Sequence, residues 1–367
     1  MQKKIDYTYQ KDRPLDELIG HCSSWSAPSN IALVKYWGKK EGIQLPGNPS
    51  LSLTLSKALT KVHIEVKDEI EDSWIDLYFE GQKMPNFVPK IEKFFQNASS
   101  YIPFLTDLKF TLKTSNTFPH SAGIASSASS MAAIALNLVE MEEKYCGIKL
   151  SEKDFFLRAS FIARLGSGSA CRSVYPMAAS WGECEGKGSD LYAEALKIHP
   201  IFESMYDSII VVNSNEKKVS SRAGHGLMEN HLYSKARYQQ AFENWKFAKE
   251  WISDGTWDYL GPLIEEEALS LHAMMMTSRP GYMLMVPETI DIIYKIREYR
   301  NKTGVPVYFT LDAGPNLHLL YPATDREPVW KFINELVKQN SESITVIDDK
   351  VGTGPSREDF LKLEGGA

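Results

Sequence analysis

The stretch PHSAGIASSASS at 119–130 runs straight into MAAIALNLVE, and it constrains the fold more than any other part of the chain. Apolar and polar residues alternate over 108–112 before it, and helical periodicity follows it, so the order is strand, small-residue turn, helix. With Gly123 and the small residues Ala122, Ala125, Ser126, Ser127 and Ala128 at the turn, backbone N–H groups can approach a ligand closely. The helix that begins there points its positive end into the turn, which suits a triphosphate. No Lys-Ser or Lys-Thr pair closes the turn, and its glycine count does not fit the dinucleotide fingerprint. A tight helix start packed on a sheet would use the same residues.

A chain of 367 residues exceeds one ordinary core, which predicts two domains. The division expected is a polar arm at 1–20, an N-terminal domain at 21–188 carrying the small-residue turn, and a C-terminal domain at 189–367, with a hinge at 187–190. Over 24–56 the apolar text is punctuated by Pro28, Gly38, Pro46, Gly47 and Pro49, which reads as strands interrupted by a functional loop. Val62, Ile64 and Val66 alternate with Lys61, His63, Glu65 and Lys67, a half-buried strand with 74–79 as its expected partner. Phe87, Ile91, Phe94 and Phe95 follow helical spacing. Further helices are expected at 233–252, 260–276, 289–301 and 328–339, and strands at 306–311, 317–321 and 343–347. The whole reads as an α+β fold, with mixed and antiparallel sheets packed against helices.

Three more segments carry chemistry. APSNIALVKYWGKK at 27–40 presents Lys35, Tyr36 and Lys39 close together, and on a regular strand the two lysines would share a face. Lysines beside aromatics also make an ordinary solvated face. GSGSACRS at 166–173 offers the hydroxyls of Ser167 and Ser169 and the guanidinium of Arg172, a fork that matches phosphate oxygens. VSSRAGHG at 219–226 repeats that chemistry with Ser220, Ser221 and Arg222. In TLDAGPN at 310–316, Asp312 follows an apolar strand and precedes a turn. It either caps its own backbone or acts on a substrate hydroxyl, the latter requiring a cation that keeps it ionised.

The net charge of −6, with dispersed basic residues, argues against nucleic-acid binding and requires any anionic ligand to find a local basic pocket. Cys22, Cys146, Cys171 and Cys184 form no metal or disulfide pattern, so a reduced cytoplasm is expected. The N-terminus lacks an apolar signal core, and no uncharged apolar run of about 18 residues occurs, so neither secretion nor a membrane span is expected.

In this order the segments resemble the GHMP kinase superfamily, whose P-x-x-x-G-x-x-S-S-A loop falls at 119–128. More narrowly, SNIALVKYWGK, IASSAS, RLGSGSACRS, VSSR and LDAGPN resemble the diphosphomevalonate decarboxylase family over roughly 24–320. The resemblance implies a two-domain GHMP kinase-like fold with the active site in the cleft between domains, ATP and Mg2+ as cofactors, mevalonate 5-diphosphate as substrate, and a homodimer. It implies Asp312 as the acid/base at the tertiary hydroxyl, with Lys35 beside it and Ser221 near the transferred phosphoryl group. Tyr36, Lys39, Ser167, Ser169, Arg172 and Arg222 would hold the substrate's diphosphate and carboxylate. Pro119, Gly123, Ala125, Ser126, Ser127 and Ser129 would hold ATP, with Ser127 also on the metal. Two places depart from the family pattern: His120-Ser121, where small or hydroxyl residues are usual, and Tyr175-Pro176-Met177, in place of aromatic-Gly-Gly. The rivals are a kinase that stops at phosphorylated mevalonate and a metabolite sensor without turnover; the Lys35 and Asp312 pair favours decarboxylation.

Overall fold

The computed structural model describes residues 14–67, 74–118, 124, 126–212, 221–339 and 344–359, with backbone only at 103 and 221–223. In chain order the strands are β1 (Cys22–Val34), β2 (Ser50–Lys67), β3 (Ile75–Phe79), β4 (Gln82–Lys83), β5 (Lys109–Asn116), β6 (Ala178–Trp181), β7 (Ala193–Ala195), β8 (Tyr206–Val212), β9 (Tyr308–Thr310), β10 (Leu317–Tyr321), β11 (Ile344–Lys350) and β12 (Ser356–Arg357). The helices are α1 (Val88–Ala98), α2 (Ser126–Cys146), α3 (Glu152–Gly166), α4 (Pro200–Glu203), α5 (Ser221–Gly226), α6 (Ser234–Asp254), α7 (Trp257–Thr277), α8 (Pro287–Thr303) and α9 (Arg326–Gln339).

The larger sheet runs β12-β1-β2-β5-β3-β4, with β6 also on β2 and β7 beyond it; the smaller runs β11-β8-β10-β9. Every pairing is antiparallel except β3 with β5, so the expected mixed and antiparallel α+β architecture is found. The strand at 74–79 does not pair with β2, as its position in the chain suggested. Residues 60–67 of β2 are already flanked by β1 and β5, and β3 takes the free side of β5.

Small residues shape the contact between α2 and the larger sheet. Ala128, Ala132 and Ala135 are fully buried, and Asn137 ties the helix to β2 by donating to the Val62 carbonyl at 3.2 Å. A second buried cluster joins the two sheets: Ile31, Leu33 and Val34 of β1 pack in one core with Trp245 of α6, Leu260 and Ile264 of α7, and Leu320 of β10. Where β2 bulges between its two registers with β1, the amides of Ser56, Lys57 and Ala58 have no ladder partner. Asp349 of β11 accepts all three, at 3.0, 2.8 and 2.9 Å, so a buried carboxylate staples the sheets together.

Two expectations about chain organisation are corrected. The described end of the presumed arm is not a free tail: Leu18 is fully buried, and the Gly20 amide bonds the Val66 carbonyl at 2.9 Å. The supposed hinge at 187–190 lies in the β6–β7 hairpin, where Cys184 and Lys187 exchange backbone hydrogen bonds and Asp190 accepts the Glu183 amide at 2.9 Å. Gly-Lys-Gly-Ser text serves a tight turn as well as a linker.

Candidate active site

A cavity of about 750 Å³ opens where β1 ends, bordered by α1, the start of α2, the turn after α3, α5 and the end of β9. Among the described residues its cationic lining is Lys35, Lys39, Lys90, Lys93 and Arg172, against a single carboxylate, Asp312. On a chain of net charge −6, this is the local basic pocket an anionic ligand needs.

β1 stops at Val34, so Lys35 and Lys39 are not two positions on one regular strand. The Lys35 amide is taken by Glu267 at 2.9 Å and its carbonyl by the Asn48 side chain at 2.9 Å. Lys39 instead sits in an isolated bridge with Pro46. Both side chains still line the cavity.

At the cavity floor the Lys35 ammonium, buried to 1 % exposure, meets Asp312 Oδ1 at 3.0 Å. Burial pushes the Lys35 pKa down, and Asp312 opposes that shift. Burial alone would push the Asp312 carboxyl up; Lys35, His318 and Arg172 outweigh it and hold it below the ordinary carboxylate range. About a third of the Asp312 side chain faces the cavity, so an ionised carboxylate is presented to a ligand from a well-sunk position.

Arg172 closes a short 3-10 turn, Gly168–Arg172, that follows α3. Its Nε donates to Ser52 at 3.0 Å, Nη1 to Ser50 at 2.5 Å and Nη2 to Asn30 at 3.3 Å. Ser167 precedes this turn, Ser169 lies within it, and both line the cavity. The Tyr36 hydroxyl is buried with no hydrogen-bond partner among the described residues. Burial pushes its pKa up, leaving a protonated donor beside the cations.

Ser126 and Ser127, the first residues of α2, line the cavity and also a second, apolar pocket of about 110 Å³ bounded by Val62, Leu77, Phe79, Met84, Ile91 and Ile134. Ser129 does not join them: it is fully buried, shares a 2.7 Å hydrogen bond with Thr60 and bonds the Ser126 carbonyl, so it fastens α2 to β2. Pro119, Gly123 and Ala125, with His120 and Ser121, lie outside the described residues. Ser221 and Arg222 open α5, and their side chains lie outside them too.

The sequence reading missed His225, Lys90 and Lys93. His225 accepts the Gly38 amide at 3.0 Å and packs between Tyr36 and Trp37, with ring centroids 4.4 and 4.5 Å away. Burial, with Lys39 adding to it, pushes its pKa down to about 3. Helical spacing of Lys90 and Lys93 was visible, but nothing in it distinguished a cavity wall from solvent.

A cation-lined cleft between two sheets, with an ionised aspartate on a buried lysine and a serine-led helix start at its rim, goes with the fold of a GHMP kinase-like small-molecule enzyme. Residues 27–193 match the family model described as diphosphomevalonate decarboxylase-like N-terminal domain, and 208–362 match the mevalonate 5-diphosphate decarboxylase C-terminal domain. The diphosphomevalonate decarboxylase of Gibberella zeae is 30% identical over 83% of this chain and 82% of its own length. That of Candida albicans is 28% identical over 91% and 97%. The crystal structure of mevalonate diphosphate decarboxylase from Staphylococcus aureus superposes with a TM-score of 0.80 at 31% identity, over 94% of this chain and 100% of the other. The chain belongs to the diphosphomevalonate decarboxylase family.

Proposed function

We propose that this protein converts mevalonate 5-diphosphate and ATP to isopentenyl diphosphate, ADP, phosphate and CO2. The carrying observation is the Lys35–Asp312 pair at 3.0 Å, set in a cavity whose other charged lining groups, among the described residues, are cationic. A relative of TM-score 0.79 and 28% identity was captured with MVAPP, AMPPCP and magnesium.

The substrate carries a tertiary alcohol next to a carboxymethyl group, and hydroxide is a poor leaving group. Asp312, kept anionic by Lys35, orients the hydroxyl and takes its proton as the oxygen attacks the γ-phosphorus of ATP. Departure of phosphate then leaves positive charge on the tertiary carbon. The electron pair of the bond to the carboxylate moves in to form the alkene, and CO2 leaves. Arg172, Lys39, Tyr36, Ser167, Ser169 and Arg222 hold the diphosphate and carboxylate, and Ser221 lies by the transferred phosphoryl group.

The start of α2, with Ser126 and Ser127, fits a triphosphate through the N–H groups that a first helical turn leaves outside the helix ladder and through its dipole, and the adjoining apolar pocket suits a nucleobase. Magnesium, when bound, neutralises triphosphate charge. The Ser127 hydroxyl lines the cavity and would be one protein ligand to the ion.

The reduced cytoplasm and a homodimer complete the reading. No disulfide is formed among the described residues, and no described helix is long and apolar enough to cross a membrane; sedimentation measures the assembly. The functional test is turnover of the pure protein with ATP, Mg2+ and each of mevalonate, its 5-phosphate and its 5-diphosphate. ADP and CO2 should appear in equal amounts with the diphosphate alone, and a stable phosphorylated product without CO2 would overturn the reading. Asp312→Asn should lower kcat by about 10²–10⁴-fold while calorimetry still detects substrate binding.

A further inference from the structure

Lys35 leaves β1 in the larger sheet and Asp312 leaves β9 in the smaller, so no shared strand ladder fixes the distance between them. We infer that α7 sets that distance, with Glu267 and His272 as positioning residues that grip the two backbones. Glu267 is fully buried and accepts the Lys35 amide at 2.9 Å. It is clamped in turn by α6: Arg237 donates to both of its oxygens, at 2.9 and 2.5 Å, and Asn244 to one at 2.8 Å. Five residues on, about 7.5 Å along the helix axis, His272 is 1 % exposed and its Nε2–H donates to the Asp312 carbonyl at 3.1 Å. A third contact holds the helix itself against β9. A Cβ added to Gly261 would lie 2.2 Å from the Tyr308 ring, so only glycine permits α7 to lie this close.

Stability alone does not account for the arrangement. A buried ion pair such as Arg237–Glu267 repays little of its desolvation, and an apolar pair of the same volume often serves folding better. What an apolar pair lacks is an acceptor for the Lys35 amide. Glu267 serves Lys35, Arg237 and Asn244 at once, and so ties the lysine of one sheet to the helix that holds the aspartate of the other.

The inference rests on Lys35–Asp312 being the reacting pair, which wild-type CO2 release and Asp312→Asn test independently of α7. The test of α7 is His272→Leu, which removes the donor, beside His272→Gln, whose amide can still donate to the carbonyl. Displacement of a reacting group by an ångström can cost about 100-fold, so kcat in His272→Leu should fall between about tenfold and 100-fold, with the KM for mevalonate diphosphate little changed. The titratable and cationic groups facing the Asp312 carboxyl are Lys35, Arg172 and the His318 ring, the last bonded to Asp207 at 2.7 Å. Slackening the Lys35 contact should therefore move the acid limb of kcat to higher pH. His272→Gln should restore both kcat and the acid limb, and Gly261→Ala, which pushes α7 off β9, should reproduce the loss without touching a polar group. Wild-type kcat in His272→Leu, equal losses in the Leu and Gln variants, or a loss with the acid limb unmoved would each overturn the inference. Should His272→Leu not fold, His272→Asn, polar but one methylene shorter than glutamine, is judged by the same two readings.

Discussion

Arg172 offers a test in which stability and affinity part company. Its guanidinium is 2 % exposed, three neutral side chains accept its hydrogen bonds, and no carboxylate forms an ion pair with it among the described residues. Burial pushes its pKa below that of a free guanidinium. Neutral hydrogen bonds contribute about 1 kcal/mol each, whereas desolvating a cation costs several kcal/mol, so its hydrogen bonds and the nearby Asp312 charge offset its burial only in part. In Arg172→Met that cost disappears along with the three bonds. Ser50 still donates to the Trp181 carbonyl and Asn30 to Ser173, so little is left unsatisfied. The net change in unfolding free energy should stay within about 2 kcal/mol, small beside the 3–5 kcal/mol typical of breaking a buried pair. Binding should change far more. The guanidinium has two N–H groups to spare for the diphosphate, each bond to a charged acceptor being worth about 1.5–3 kcal/mol. Losing both weakens binding by about 10²–10⁴-fold at 1.36 kcal/mol per decade. Urea unfolding of the ligand-free protein and calorimetric titration with mevalonate 5-diphosphate read the two quantities. A variant that loses more than about 4 kcal/mol of stability while binding the diphosphate normally would show Arg172 to be structural.

Two further outcomes follow from groups the chemistry does not consume. His225 has a folded pKa of about 3 against about 6.5 unfolded, so between those values the unfolded chain binds a proton that the native one does not. Its contribution therefore falls as pH drops through that window, by up to about 1.4 kcal/mol per pH unit. Urea midpoints taken from pH 7 to pH 5 should show a shallower slope in His225→Phe, and identical slopes would remove His225 as the cause. Met177 has φ +58 and is held there by backbone bonds to Gly352 and Thr54. Left-handed backbone costs a non-glycine residue about 1–2 kcal/mol, partly offset by the flexibility glycine adds to the unfolded state. Met177→Gly should thus raise stability by about 0.5–1 kcal/mol, and a lower urea midpoint would refute the assignment of strain.

Much of the fold was legible because periodicity is a local property. The strand read at 317–321 coincides with β10, and the helix read at 260–276 falls within Trp257–Thr277. Failures came where a partner decided the matter. The strand at 74–79 was found, but whether it paired with β2 or β5 depended on which edges were already taken. Ser126, Ser127 and Ser129 read as one loop. In the structure they open α2, where the first two line the cavity and the third is buried against Thr60 of β2.

The candidate site divides along the same line. Lys35, Arg172 and Asp312 announce themselves because each sits beside a turn its own neighbours encode, and a reactive group at a turn is legible in a few residues. A positioning residue has no such mark. Glu265, Glu266 and Glu267 are consecutive and identical in the sequence, yet the helix gives them three different surroundings. Glu265 pairs with Arg297 and Arg300 of α8, at 3.2 and 2.6 Å. Exposed Glu266 accepts from Gln240 at 2.6 Å. Glu267 turns inward to Arg237 and the Lys35 amide. Residue type and spacing are the same for all three, so only the packing of α6, α8 and the end of β1 around α7 makes one of them a holder of the lysine that faces Asp312.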